Sequence, residues 1–314
     1  MLSSLLLIPA LVCAQGFASP VLRRQAPSFV FDGDAPFSVD DETLAAALTC
    51  PNGAPSQSSP PVLLVHGTAV TGDATWGEGY VPALLADGYT ACHVTLPGRA
   101  MGDMQISSEY IAYSIHHISQ ISGGLQPAIV AHSQGNPDTQ WALQFWPSTR
   151  RVARALISLS PDFHGISLFE SPLSGACEGT SLCQAALWQQ SSGSNYYKAL
   201  HNADFQAQVP TTSIWTQFDG VVMPAEDNAQ LPYANIIKLQ DLCPLRLASH
   251  ITITIDAAAY SIALDALDNG GIADLDRVRR GSWTSCFRIS AKGMQVTIPT
   301  QLQEAFDVVV KGFL

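Results

Sequence analysis

Apolar positions along the chain gather in short unbroken runs, and the stretches between them carry apolar residues at helical spacing. "PVLLVHG" (61–67) and "PAIVAHS" (127–133) are continuous apolar runs that read as strands covered on both faces, and "TACHVTL" (90–96), "VARALISLSP" (152–161) and "TTSIWTQFDGVV" (211–222) read as further strands. Between them, "YVPALLADGY" ends at Gly88, "SEYIAYSIHHISQISGG" stops at a double glycine, and "PDTQWALQFWP" opens with a proline, which the first turn of a helix tolerates. Strands that alternate with helices predict an α/β fold: a mainly parallel sheet with helices on both faces. Ahead of this pattern lies an acidic, Pro- and Ser-rich stretch over 25–60 with one short helical run at Thr43–Leu48.

The first residues do not fit the pattern. "MLSSLLLIPALVCA" is too short an apolar run to span a bilayer and ends in small residues, so it reads as a secretory signal over 1–18, cleaved after Ala14 or Ala18. Residues 19–24 close on the dibasic pair Arg23–Arg24 and read as a pro-peptide. The alternative is an exposed basic pair in an ordinary N-terminal arm. On the first reading the mature protein is a single domain over 25–314. Cys13 leaves with the signal, and Cys50, Cys92, Cys177, Cys183, Cys243 and Cys286 remain. No C-x-x-C pair or histidine of ligand spacing accompanies them, which favours structural disulfides over a metal site and places the protein outside the cell. Sequence alone does not fix their pairing.

Charge narrows the partners. The net charge is −11, and losing the leader's two arginines takes it to −13, which argues against nucleic acid and offers no polybasic membrane anchor. With 47% hydrophobic and 13% charged residues, the chain can bury a large core.

Chemistry centres on "AHSQG" (131–135). Ser133 stands where a strand gives way to a helix, the place of a nucleophile elbow, in which the residues two before and two after the serine must be small. Ala131 and Gly135 are. A serine before a helix is also an ordinary cap, so the motif needs partners. His66-Gly67-Thr68 follows a neighbouring buried strand, where oxyanion donors come from; Thr68 and Gln134 would supply backbone N–H groups, and Thr68 also a hydroxyl. The base is found by elimination. Among eight histidines, His250 alone follows Asp219, the acid at the end of "TTSIWTQF". Ser, acid, His is the α/β-hydrolase order. In these roles His250 takes the Ser133 proton while Asp219 orients its ring, with Asp227 and Asp241 as rival acids.

Several stretches, in register, resemble the Candida antarctica lipase B family of secreted fungal α/β-hydrolase lipases: "LTCPNGA", "LLVHGT", "SQG", "QWALQFWPS", "SPDFHG", "LWQQSSGS", "VPTTSIWTQFDGVVMP" and "CPL". The resemblance runs from about Phe37 to Cys286. It implies Ser133, Asp219 and His250 as a triad, Thr68 and Gln134 as the oxyanion hole, and disulfides Cys50–Cys92 and Cys243–Cys286. It also implies a secreted monomer that hydrolyses triacylglycerols and medium-to-long-chain esters, at an oil–water interface among other settings, with no cofactor. The chain departs from the family at His66, where relatives carry proline, and at His132, where they carry tryptophan. The family's C-terminal extension has no counterpart in the resemblance. An additional pair, Cys177 and Cys183, is expected to bond within a lid-like segment. Leu173, Leu182, Leu187, Ile251 and Ile253 are candidate acyl-pocket walls. A carboxylesterase, thioesterase or acyltransferase with the same triad is the nearest alternative, and a lipid-binding protein with a spent site is a more distant one.

Overall fold

The computed structural model describes residues 28–166 and 184–295. The proposed signal and pro-peptide, the Cys177–Cys183 pairing and the walls Leu173 and Leu182 lie outside the described residues.

Seven strands form one sheet in the order β1-β3-β2-β4-β5-β6-β7. They are β1 (Leu48–Thr49), β2 (Pro61–Val65), β3 (Thr90–Val94), β4 (Ala128–His132), β5 (Ala155–Leu159), β6 (Thr211–Trp215) and β7 (Asn235–Lys238). All neighbours are parallel except β1, which pairs antiparallel with β3. After β1 at one edge, the chain enters the interior of the sheet at β2, adds β3 on one side and β4 to β7 on the other, and the parallel pairing places the C-terminal ends of β2, β4, β5 and β6 on one edge. That edge carries the candidate chemistry.

The continuous apolar runs are explained by two cores. Along β2, Val62 and Leu64 join one buried cluster while Leu63 and Val65 join the other, and β4 divides Ala128 and Val130 from Ile129 and Ala131 in the same way. Successive strand side chains point to opposite faces, so a strand buried on both is apolar at successive positions, or, as at Thr211, Thr212 and Ser213 of β6, carries hydroxyls that donate to backbone carbonyls. Helix α3 (Tyr80–Ala86) and the helix Ala257–Asp268 cover one face, and α4 (Met104–Ile121) and α5 (Gly135–Phe145) cover the other.

Local differences from the sequence reading have physical causes. The run Thr43–Leu48 divides: α1 (Asp41–Ala46) is capped by the Asp40 side chain on Thr43 N–H, and Leu48 begins β1. The loop after β2 contains α2 (Gly72–Trp76), five residues started by Thr71. Strand β7 has only four residues and a half-buried pattern, too little for a periodicity signal. Two disulfides, Cys50–Cys92 and Cys243–Cys286, close loops of 42 and 43 residues. Each restricts the unfolded chain by about 4 kcal/mol on the loop-entropy view. Both pairings match those implied by the family.

Candidate active site

Ser133 follows β4 and precedes α5, with φ +53, a left-handed conformation that an L-residue holds only under constraint. The constraint is tight packing around the turn. A Cβ on Gly135 would lie 2.7 Å from the His66 carbonyl oxygen, so no larger residue fits there. Ser133 N–H donates to the Leu159 carbonyl at 3.1 Å and anchors the turn to β5. The serine does not cap the helix: α5 begins with Gln134 at the cap position and no side-chain cap bond. Its hydroxyl has a different partner.

His250 Nε2 lies 2.9 Å from Ser133 Oγ, and His250 Nδ1 lies 2.9 Å from Asp219 Oδ2. Asp219 sits in the turn after β6; its Oδ1 accepts the N–H groups of Val222 at 2.6 Å and Val221 at 3.1 Å. The main chain ties Asp219 and His250 again through His250 N–H donating to the Asp219 carbonyl at 3.0 Å. Burial alone would raise the Asp219 pKa. The hydrogen bond and charge of His250, with the Val222 amide, outweigh it and hold the carboxyl below its usual range. The rivals Asp227 and Asp241 lie in the short helices Ala225–Asn228 and Leu239–Leu242, and neither accepts from the His250 ring.

His132 packs against His250. Its Nε2 donates to the His250 carbonyl at 2.8 Å, and the two rings stand 4.7 Å apart. Burial, then the neighbouring His250, lowers its pKa to about 3, so it is neutral and acts as a hydrogen-bonded wall.

The other side of Ser133 is built from neutral groups. Gly67 presses on Ser133 so closely that a Cβ there would lie 2.7 Å from Ser133 Cβ. Next to it, Thr68 Oγ1 donates to Gln134 Oε1 at 2.6 Å, with Gln190 Oε1 a second acceptor at 3.1 Å. Gln190 Nε2 donates to Gln134 Oε1 at 3.1 Å, and Gln134 Nε2 donates to Asp138 Oδ2 at 3.2 Å. Tyr196 Oη donates to Asp138 Oδ1 at 3.3 Å. Burial, then the nearby Asp162 carboxyl, pushes Asp138 well above the usual carboxylate range. The backbone N–H groups of Thr68 and Gln134 have no acceptor among the described residues. They remain available to an oxygen developing charge beside Ser133, reinforced by the positive end of α5. The Thr68 hydroxyl would have to leave Gln134 to join them.

Sequence reasoning missed Asp138, Asp162 and Gln190. Asp138 lies within "PDTQWALQFWP", Asp162 within "SPDFHG" and Gln190 within "LWQQSSGS", yet nothing in their spacing announces burial. Of the candidate walls, Ile253 is fully buried in the core, whereas Leu187 and Ile251 are half-exposed. An apolar groove of about 840 Å³ runs beside the histidine loop, lined by Leu245, Leu247, Ile255, Trp283 and Phe287 among others; the three triad candidates do not line it.

No protein-family profile matches the chain. It is 31% identical over 257 residues to Lipase B of Pseudozyma antarctica, across 80% of this chain and 72% of that protein. Its fold superposes on lipase B of Aspergillus fumigatus with a TM-score of 0.75 and 28% identity, over 90% of this chain and 69% of the other. A mature Bacillus licheniformis lipase shares the fold at TM-score 0.53 and 19% identity, over 72% of this chain and 98% of that one. With the identity and coverage to Lipase B added to the strand order and the polar cluster at the sheet edge, the chain belongs to the lipase B family of α/β-hydrolases, which are carboxylic ester hydrolases.

Proposed function

We propose that the protein is a secreted serine lipase that cleaves triacylglycerols and medium-to-long-chain esters through an acyl-enzyme on Ser133. His250 takes the Ser133 proton as Oγ attacks the ester carbonyl, and returns it to the departing alkoxide. Asp219 keeps the ring oriented and stabilises its cationic form. The N–H groups of Thr68 and Gln134 hold the oxyanion of the tetrahedral intermediate. Water then repeats the sequence on the acyl-enzyme and restores Ser133, with no metal or organic cofactor in the cycle.

The observation that carries the reading is the unbroken hydrogen-bonded line Asp219–His250–Ser133, at 2.9 Å in both steps, ending on a serine in an exceptional turn. Export and extracellular action rest on the leader-like N-terminus and the two disulfides. Triacylglycerol as substrate rests on family membership, and action as one copy on the completeness of the triad within a single chain.

Tributyrin hydrolysis across its solubility limit, with Ser133→Ala in parallel, tests the reading. Activity should vanish in the variant and rise above the limit in the wild type. Serine-dependent activity that saturates below the limit would move the assignment to a carboxylesterase.

A further inference from the structure

His66 is a residue the proposed chemistry does not use, and its surroundings are specific. The ring is fully buried at the end of β2, directly before the oxyanion loop. Its Nε2 accepts the backbone N–H of Leu96 at 2.9 Å, and its Nδ1 lies 2.7 Å from the carbonyl oxygen of Gly67. A backbone N–H can only donate, so Nε2 carries the lone pair. The proton therefore sits on Nδ1 and is donated to Gly67 O. Burial holds the pKa of this histidine down to about 4, so the ring stays neutral over the working range of an esterase.

The Gly67 carbonyl shares a rigid plane with one other polar group, the N–H of Thr68, and the two point in opposite directions. Fixing the carbonyl fixes the N–H. The same peptide is pressed against the nucleophile, since Gly67 leaves no room for a Cβ beside Ser133. On the far side of Thr68, Ala69 N–H donates to the Arg99 carbonyl at 2.8 Å, so the loop is held at both ends while the Thr68 N–H has no acceptor among the described residues.

We infer that His66 is a positioning residue for the oxyanion hole: through Nδ1–H on the Gly67 carbonyl it sets the plane of the Gly67–Thr68 peptide and aims the Thr68 N–H at the reacting carbonyl oxygen. The inference rests on Ser133 being the nucleophile and Thr68 an oxyanion donor. It assigns a role at the position where the family resemblance places a proline, which has no side-chain donor.

Two substitutions separate this role from plain packing. In His66→Asn the amide nitrogen takes the place of Nδ1 and keeps the donor toward Gly67, but the side chain is shorter and leaves a void. In His66→Gln the volume is nearly conserved and an acceptor for Leu96 N–H is kept, but the donor near Gly67 is lost. The role predicts that activity and stability rank in opposite order. With p-nitrophenyl butyrate and the full-length secreted protein, His66→Gln should keep its Tm near wild type and lose about 10- to 100-fold in kcat, with KM little changed. His66→Asn should melt earlier yet stay within about 5-fold of wild-type kcat. A trifluoromethyl ketone, which forms a tetrahedral adduct on the serine, should bind His66→Gln more weakly by the same factor as the kcat loss.

Activities that follow Tm, or a His66→Gln enzyme with unchanged kcat, would overturn the inference. Should neither variant fold, the nitrogen NMR shifts of His66 in the wild type decide it: a protonated Nδ1 supports the assignment and a protonated Nε2 refutes it. Ser133→Ala in parallel keeps the two readings apart. Hydrolysis by that variant at the wild-type rate removes the nucleophile assignment, whereas serine-dependent hydrolysis without the Asn/Gln split removes only the role of His66.

Discussion

Two buried aspartates flank Ser133, and their surroundings assign them opposite charge states. Asp219, on the base side, accepts two backbone N–H groups and the His250 ring, so its carboxyl stays ionised. Asp138, on the oxyanion side, meets only a glutamine amide and a tyrosine hydroxyl, with a second carboxyl nearby, and is pushed toward its neutral form. A proton relay needs a fixed negative charge behind the imidazole. An oxyanion hole needs the reverse: any negative charge close to the developing oxygen would oppose it. The same side chain thus serves either requirement, and the difference lies in how many charge-favouring donors reach it.

Breaking the base side should have the largest effect. His250→Ala is expected to lower kcat by about 10⁴-fold or more, because among the described residues the His250 ring is the group in hydrogen-bond reach of the Ser133 hydroxyl. Asp219→Asn should approach the same loss, since an amide facing Nδ1 favours the wrong tautomer. A steady-state assay with active-site titration by a phosphonate checks both, and residual activity above about one per cent in His250→Ala would point to a second base. On the other side, Asp138→Leu strands the Gln134 amide, while the Tyr196 hydroxyl keeps the Pro137 carbonyl at 3.1 Å. We expect a loss of about 1–3 kcal/mol in stability and about tenfold in kcat. Asp138→Asn keeps a neutral acceptor and should stay within about threefold of wild-type kcat. If Asn is as damaging as Leu, the neutral-carboxyl account of this side fails.

The two sides were not equally legible in the sequence. That Ser133, His250 and Asp219 would meet was legible because triad chemistry uses few residue types in a fixed chain order, and only one histidine follows Asp219. Thr68 and Gln134 were reachable because their N–H groups depend on position in a turn. The side chains that hold those donors were not. Asp138 meets Gln134 four positions back, a local spacing that says nothing of its burial, and Gln190 and Asp162 have partners 56 and 35 positions away, which no local pattern encodes. The fold divides the same way: strands covered on both faces stand out as apolar runs, whereas α2 and β7 depend on a cap and an edge pairing too short for periodicity.

A smaller effect probes the link between the base and its wall. His132→Phe keeps the ring contact with His250 and removes the donor to its carbonyl. The carbonyl is then left without that partner in the interior, at about 1–2 kcal/mol. A kcat decrease of up to about tenfold is expected, from looser placement of the base. Thermal melts and kcat on one soluble ester measure both, and an unchanged kcat would show that Asp219 alone positions the ring.

The subtlest test uses pH on stability and returns to the contrast between ionised and neutral carboxyls. Asp162 is fully buried after β5, and burial pushes its pKa up to about 7. A carboxyl whose folded pKa is raised destabilises the fold progressively as pH climbs from its unfolded value, near 3.9, to its folded one, and the penalty is complete above that. Asp162→Asn should therefore melt close to wild type near pH 4 and above it by several degrees at pH 8. Asp219 has the opposite sign. Its folded pKa is depressed, so its ionised form stabilises the protein above the unfolded pKa, and that contribution disappears as pH falls through the folded value. Asp219→Asn should accordingly melt below wild type at pH 8, with the gap closing toward pH 2. Differential scanning calorimetry of the two variants at these pH values would give curves diverging from wild type in opposite directions. Parallel curves would mean that burial, and not the donors around each carboxyl, sets its charge.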